Sequence, residues 1–181
     1  MPALKENEAE HTAVEDLTAL YLKILQTLSE DPTREGLVKT PARAAKAMLE
    51  VTAGYHMDLN VVANGAIYES QCNNIVVVEG LEFYSLCEHH CLPFYGQCNI
   101  SYLPNGHVLG LSKFARILDM FSKRLQIQEN LTVQVAEAID SLIQPKGVLV
   151  EISAEHFCMK MRGISKQHSN MRTRHQIGTL S

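Results

Sequence analysis

The segment Cys87-Glu88-His89-His90-Cys91 crowds groups that hold metals or move protons into five positions. Two residues separate Cys87 from His90, a spacing at which a thiolate and an imidazole reach one ion from a single tight turn. A second cluster lies far downstream, His156-Phe157-Cys158-Met159-Lys160-Met161-Arg162. Residues two apart in a strand share a face, so an extended chain here sets His156, Cys158, Lys160 and Arg162 side by side. A soft donor set of thiolates with imidazole suits zinc. Three protein ligands leave a fourth position for water, and zinc brings that water's pKa towards about 7. His89 and His156, left over from such a set, suit proton transfer. Two metal readings stay open at this level: an open catalytic site, and a closed structural site built from Cys87, His90, Cys91 and Cys158. Adjacent residues such as His90 and Cys91 rarely converge on one ion in extended backbone, which ranks the closed site lower. Cys91 then reads as a small buried hydrophobe, and Cys72 and Cys98 as core.

Several elements must position these groups. Residues 1 to about 10 are polar and expected to fray. From about Glu10 to Ser29, Leu17, Leu20, Tyr21, Ile24, Leu25 and Leu28 recur at helical spacing, and Asp31-Pro32 ends that helix. Thr40-Pro41 reads as an N-cap followed by proline at the first helical position, with Gly54 marking the end. Ile75 to Val78 is a short apolar strand. Residues 93 to 103 alternate around Cys98, Ile100 and Tyr102, and Pro104-Asn105-Gly106 turns the chain. Ser112 begins a helix with a stripe of Ile117, Leu118, Phe121 and Leu125. A second helix carries Leu131, Val135, Ala138, Ile139 and Leu142, and a long strand is expected from Val148 to about Arg162. Runs of strands and runs of helices favour an α+β fold with an antiparallel sheet. The domain division expected is 1–55, helical, and 56–181, catalytic.

The bulk properties exclude several classes. The chain has 181 residues, 46% hydrophobic and 20% charged, with a formal net charge of −4. A domain of this size buries roughly 70% of its unfolded surface without disulfides. A nucleic-acid backbone binder is usually basic, so no nucleic-acid partner is expected. No apolar run approaches the roughly 20 residues of a membrane span, so no membrane partner is expected. The polar start of the sequence does not read as a signal peptide. Five cysteines, an odd number, do not read as a disulfide framework, and the expected compartment is a reducing cytoplasm.

The stretches Thr40-Pro41-Ala42-Arg43, Cys87-Glu88-His89-His90, Leu109-Gly110-Leu111-Ser112-Lys113, Arg124-Leu125-Gln126-Ile127-Gln128-Glu129 and His156-Phe157-Cys158-Met159-Lys160-Met161-Arg162-Gly163 together resemble the GTP cyclohydrolase I family. They occur in that family's order and spacing, from about residue 10 to residue 170. The resemblance implies a tunnelling fold, in which paired helices back an antiparallel sheet and subunits join edge to edge into a barrel. It implies a homodecamer of two pentamers with sites between subunits. It implies Zn2+ held by Cys87, His90 and Cys158. GTP would be the substrate: His89 would protonate the purine N7, water would attack C8, and His156 would assist proton transfer. The ring would open, formate would leave, and dihydroneopterin triphosphate would form after rearrangement of the ribose. Glu129 would hold guanine with Gln128 beside it, and Ser112, Lys113, Arg116 and Arg162, with Arg43 from a neighbour, would meet the triphosphate. A helix start and arginine forks both suit phosphate.

Taken singly, these residues have plainer readings: Ser112 as a helix cap, Lys113, Arg116 and Arg124 as a solvated helix face, Glu129 as an acidic first-turn residue. Two departures from the family pattern stand out. Cys91 occupies a position usually apolar, and the tail from Gln167 to His175 is more basic than expected, with His168, Arg172 and Arg174. The first keeps a closed, non-catalytic zinc site in play, and the second a related enzyme of the same fold acting on another purine or pterin.

Overall fold

A computed structural model of the chain describes residues 2–180, with side chains from residue 11 onward. The side chains of the polar segment 1 to about 10, expected to fray, lie outside the described residues. Two compact units are present, Met1–Thr52 and Ala53–Ser181.

The first unit is a helical hairpin. Helix α1 runs Pro2–Thr27 and α2 runs Thr40–Val51; α1 thus begins earlier than the apolar spacing alone suggests. Asp31 stops the chain between them by accepting from the Thr33 amide at 2.9 Å and its hydroxyl at 2.7 Å, an Asx turn. Those hydrogen bonds, the hydroxyl's first, hold the Asp31 carboxyl below its ordinary pKa. The cap of α2 is Lys39 rather than Thr40, with no side-chain hydrogen bond; Pro41 sits in the first turn as expected.

The second unit opens with a 3₁₀ turn, Ala53–His56, and a short helix α3, Leu59–Ala63, capped by Asp58. Strands follow: β1 Ile67–Glu69, β2 Val76–Cys87, β3 Pro93–Leu103 and β4 His107–Leu109. Helix α4 (Leu111–Ser122), strand β5 (Leu125–Gln126) and helix α5 (Gln128–Ile143) come next. Strand β6 (Gly147–His156), helix α6 (Phe157–Lys160) and strand β7 (Met171–Gly178) complete the chain. The main sheet has the order β5-β2-β3-β6-β7. Every neighbour in it is antiparallel except β5, which runs parallel to β2 through Leu86↔Leu125 and Cys87↔Gln126. The α+β expectation holds, with a mixed rather than purely antiparallel sheet.

Burial follows the two periodicities. Along β6, Val148, Val150, Ile152 and Ala154 are buried while Glu151 is exposed, a period of two. On α5, Leu131, Val135 and Ile139 form one fully buried stripe at helical spacing. Helices α4 and α5 therefore cover one face of the sheet, where Phe83, Phe94, Ile100 and Phe114 join the same core. Gly96 has no alternative on β3: a Cβ there would stand 2.0 Å from the Ser153 carbonyl oxygen on β6.

Two expectations about strands are corrected. The strand expected to end at Val78 continues to Cys87 past an irregularity between Val78 and Leu81. There Gly80 takes φ 71°, and its N–H donates to Asn99 Oδ1 at 2.8 Å. The strand expected to reach Arg162 stops at His156, and the chain coils into α6. The two-residue face of His156, Cys158, Lys160 and Arg162 therefore does not exist.

Candidate metal centre

The end of β2 delivers Cys87 to a tight turn. The Cys87 carbonyl accepts from the amides of His90 (3.2 Å) and Cys91 (2.8 Å), and the Cys87 amide donates to the Leu92 carbonyl at 2.8 Å. Cys91 closes this turn with φ 51°, a left-handed conformation that a β-carbon makes costly. On the adjacent strand, the Gln126 carbonyl accepts from the Glu88 amide at 3.0 Å. Cys158 arrives from the other side, on the one-turn helix α6. That turn is pinned by an ion pair of Lys160 with Glu155, by the Lys166 amide on the Met159 carbonyl (2.9 Å) and by the Gln167 side chain on the Lys160 carbonyl (2.8 Å).

Helical coiling after His156, not strand alternation, thus brings Cys158 to Cys87 and His90. One ligand atom from each of the three lies within 4.8 Å of the others. The Cys87 sulfur stands 3.7 Å from His90 Nδ1. A tetrahedral zinc with its usual bond lengths needs sulfur and nitrogen about 3.6 Å apart and its sulfurs about 3.8 Å apart, so the donor types and their spacing fit such an ion. Burial, and then Cys87 beside it, push the Cys158 thiol above its ordinary pKa; a cation between the two sulfurs removes that conflict. Cys91 is exposed and outside the trio, so the buried hydrophobe expected there is not found. Cys98 is fully buried, its thiol pushed up to about 12, whereas Cys72 is only half-buried.

The remaining expected residues divide. His89 is exposed, with Nδ1 3.8 Å from the Cys87 sulfur and Nε2 3.8 Å from a Glu88 oxygen. His156 ends β6 half-buried and stacks flat on Phe94, ring centres 4.5 Å apart and planes within 4°. Its Nε2 lies 2.9 Å from Gln128 Oε1. Burial holds the His156 pKa below its ordinary value, and the Glu129 carboxylate, exposed in the first turn of α5, pulls it the other way. Arg162 is exposed and close enough to Cys158 to favour its thiolate.

The phosphate residues are more scattered. Ser112 is exposed inside α4 and is not its cap, which is Gly110. Lys113 donates to the Val62 carbonyl at 2.9 Å. Arg116 is exposed on α4, and Arg43 is exposed on α2 in the first unit. Arg124, read as part of a solvated face, instead donates to the Gly54 and Met120 carbonyls at 3.1 and 2.9 Å and lies over the Phe121 ring. Residues that carried no signal in the sequence also serve the site: Phe94 beneath His156, and Thr132 and Thr173 beside Gln128.

Comparison with known proteins places this geometry in context. The family model described as GTP cyclohydrolase I matches residues 17–181. A curated protein named GTP cyclohydrolase 1 from Chromohalobacter salexigens is 55% identical over 166 residues, 92% of this chain and 90% of its own. Its namesake from Pseudoalteromonas atlantica has the same identity and coverage, and that from Bacteroides fragilis is 49% identical over 92% of this chain and 86% of its own. Among solved structures, the archaeosine synthase QueF-Like in its apo form matches with a TM-score of 0.50 at 18% identity, covering 60% of this chain and 97% of that one. That likeness shows a shared fold over the part covered.

Proposed function

This chain belongs to the GTP cyclohydrolase I family, and on that premise we propose that it is a zinc-dependent enzyme converting GTP to 7,8-dihydroneopterin triphosphate and formate. GTP cyclohydrolase activity, in pterin and folate biosynthesis, follows from relatives of about half or more identical sequence over nearly the whole chain. The observation that carries zinc dependence is the convergence of Cys87, His90 and Cys158 within 4.8 Å. Zinc held there supplies the Lewis acidity that makes water a nucleophile at neutral pH.

The rest is done by the chain's own side chains. His89, exposed beside the trio, delivers a proton to N7 of the purine, and C8 becomes electrophilic. His156 accepts and returns protons as the ring opens and formate leaves. The Glu129 carboxylate accepts from the guanine N1–H and 2-amino group together, which adenine cannot offer. Arg162, Arg116, Lys113 and Ser112 meet the triphosphate, with Arg43 supplied by a neighbouring subunit; Lys113 gives up its Val62 carbonyl to do so, so its phosphate contact forms on substrate binding. Two sheet edges support a barrel assembly, in keeping with a decamer of two pentamers. Strand β7 has an unpaired outer edge among the described residues, and β2 is covered by β5 only at Leu86 and Cys87. Five free cysteines support a reducing, cytoplasmic location, and no described helix is long and apolar enough to cross a membrane.

The test is incubation of zinc-loaded protein with GTP. Formate and a fluorescent oxidised pterin are expected; their absence from a fully assembled, zinc-loaded sample overturns the reading. Glu129→Ala is expected to abolish the preference for GTP over ATP in competition binding.

A further inference from the structure

Gln128 is 1% exposed, a polar side chain sealed beneath the site. Its Nε2 has three acceptors, the Ile152 carbonyl, the Met171 carbonyl and Thr173 Oγ1, each at 3.1 Å. Two of these are backbone carbonyls, which only accept. The amide nitrogen must face them, because an oxygen there would oppose two oxygens in a buried place. The hydroxyls beside it confirm the direction. Thr132 donates to the Gln128 backbone carbonyl at 2.7 Å. Its single hydrogen is thus used, so in the 2.7 Å contact between Thr132 and Thr173 the hydrogen comes from Thr173. Thr173 therefore meets Gln128 with a lone pair, and the two amide hydrogens of Gln128 are shared among three groups that all accept.

The consequence falls on His156. With Nε2 of Gln128 pinned, Oε1 is the atom left facing His156 Nε2 at 2.9 Å. That oxygen only accepts, so the proton of the neutral imidazole sits on Nε2 and the lone pair sits on Nδ1. Phe94, stacked flat beneath the ring, blocks reorientation. We propose that Gln128 is a positioning residue that fixes the tautomer of His156 through the Ile152–Met171–Thr173 cluster, rather than a contact to guanine. This rests on the assignment of His156 as the proton-transfer group made above. A fixed tautomer matters because a base whose proton sits on the wrong nitrogen presents no lone pair to the reaction.

The test separates positioning from substrate contact. Gln128→Met keeps the volume and removes the amide, and Thr173→Val removes one acceptor while leaving the amide in place. For Gln128→Met, kcat is expected to fall about tenfold to a hundredfold with KM for GTP within about twofold of wild type. The loss should nearly vanish when Gln128→Met is added to His156→Ala, because both remove one function. A second readout needs no turnover: the 15N spectrum of histidine-labelled protein, with the His156 signal identified by its loss in His156→Ala. Wild type and Thr173→Val should show the Nε2–H form, and Gln128→Met a mixture of both tautomers. A rise in KM with unchanged kcat, full additivity with His156→Ala, or an unchanged tautomer in Gln128→Met each overturns the proposal. If wild type yields no formate from GTP, the functional reading alone fails, and the 15N spectra still decide what Gln128 does.

Discussion

At the end of β6, His156 rests on a ring, hydrogen bonds to a sealed glutamine, and reaches through it two backbone carbonyls and two threonines. Cys87 and His90, in the turn that ends β2, and Cys158, on α6, are held differently. Backbone turns hold the first two, Cys91 strains to close one of these, Lys160, Glu155 and Gln167 pin α6, and beside the Cys87 sulfur stand the imidazoles of His89 and His90 and the Cys158 thiol. On the proposed reading, the contrast teaches that the His156 ring is preorganised by the protein, whereas the trio's ligand atoms would be ordered chiefly by the ion they hold. Hydrogen bonds from surrounding side chains usually orient ligating groups; here they gather on His156, a neighbour of the trio.

The largest effect is expected from the weakly supported side. Cys158→Ala should remove zinc and lower activity by about a thousandfold or more. Metal-free mutant and metal-free wild type should nonetheless melt within a few degrees of each other. A collapse of the metal-free fold would show that the trio is a structural staple and erase the contrast. Next comes the supported side. Gly96→Ala forces a Cβ against the Ser153 carbonyl and should cost more than about 3 kcal/mol in urea unfolding; a stable variant would mean that β3 and β6 can separate. Thr173→Val should cost about 1 kcal/mol of stability while zinc content, read by mass spectrometry, stays at wild-type stoichiometry. Cys91→Gly should do least. Relief of the left-handed strain and the greater freedom of glycine when unfolded nearly cancel, within about 1 kcal/mol. X-ray absorption of the zinc-loaded variant should still report two sulfurs and one nitrogen from protein, and loss of a sulfur would restore the closed site with Cys91 as a ligand.

The same two regions differ in how far the sequence exposes them. Cys87 and His90 are legible because their chemistry and spacing are local. Cys158 is legible as a ligand type, but strand alternation is the wrong route to it, since a one-turn helix pinned by Lys160 and Glu155 leaves no periodic trace. Strand β2 hides behind Glu79-Gly80, where an irregular register breaks the alternation. Strand β7 hides because Met171-Arg172-Thr173-Arg174-His175-Gln176 is polar on both faces, although Thr173 serves the interior. Gln128 is the least legible of all: nothing in a glutamine at the start of a helix announces that it is sealed from water. Burial of a polar group depends on long-range partners, here residues 24 and 45 positions away.

The parallel pairing of the two-residue β5 with the end of β2 has a consequence of its own. Cys87 faces Gln126 across that ladder, and two residues later α5 begins at Gln128, with Glu129 following. On the proposed reading, the separation between the Cys87 ligand and the Glu129 purine clamp is thereby gauged by peptide units within one subunit. Even if neighbouring chains shift as they assemble, that spacing travels with the chain. One residue inserted between Gln126 and Gln128 would alter that spacing while leaving Cys87 where it is, uncoupling recognition from chemistry at a single joint.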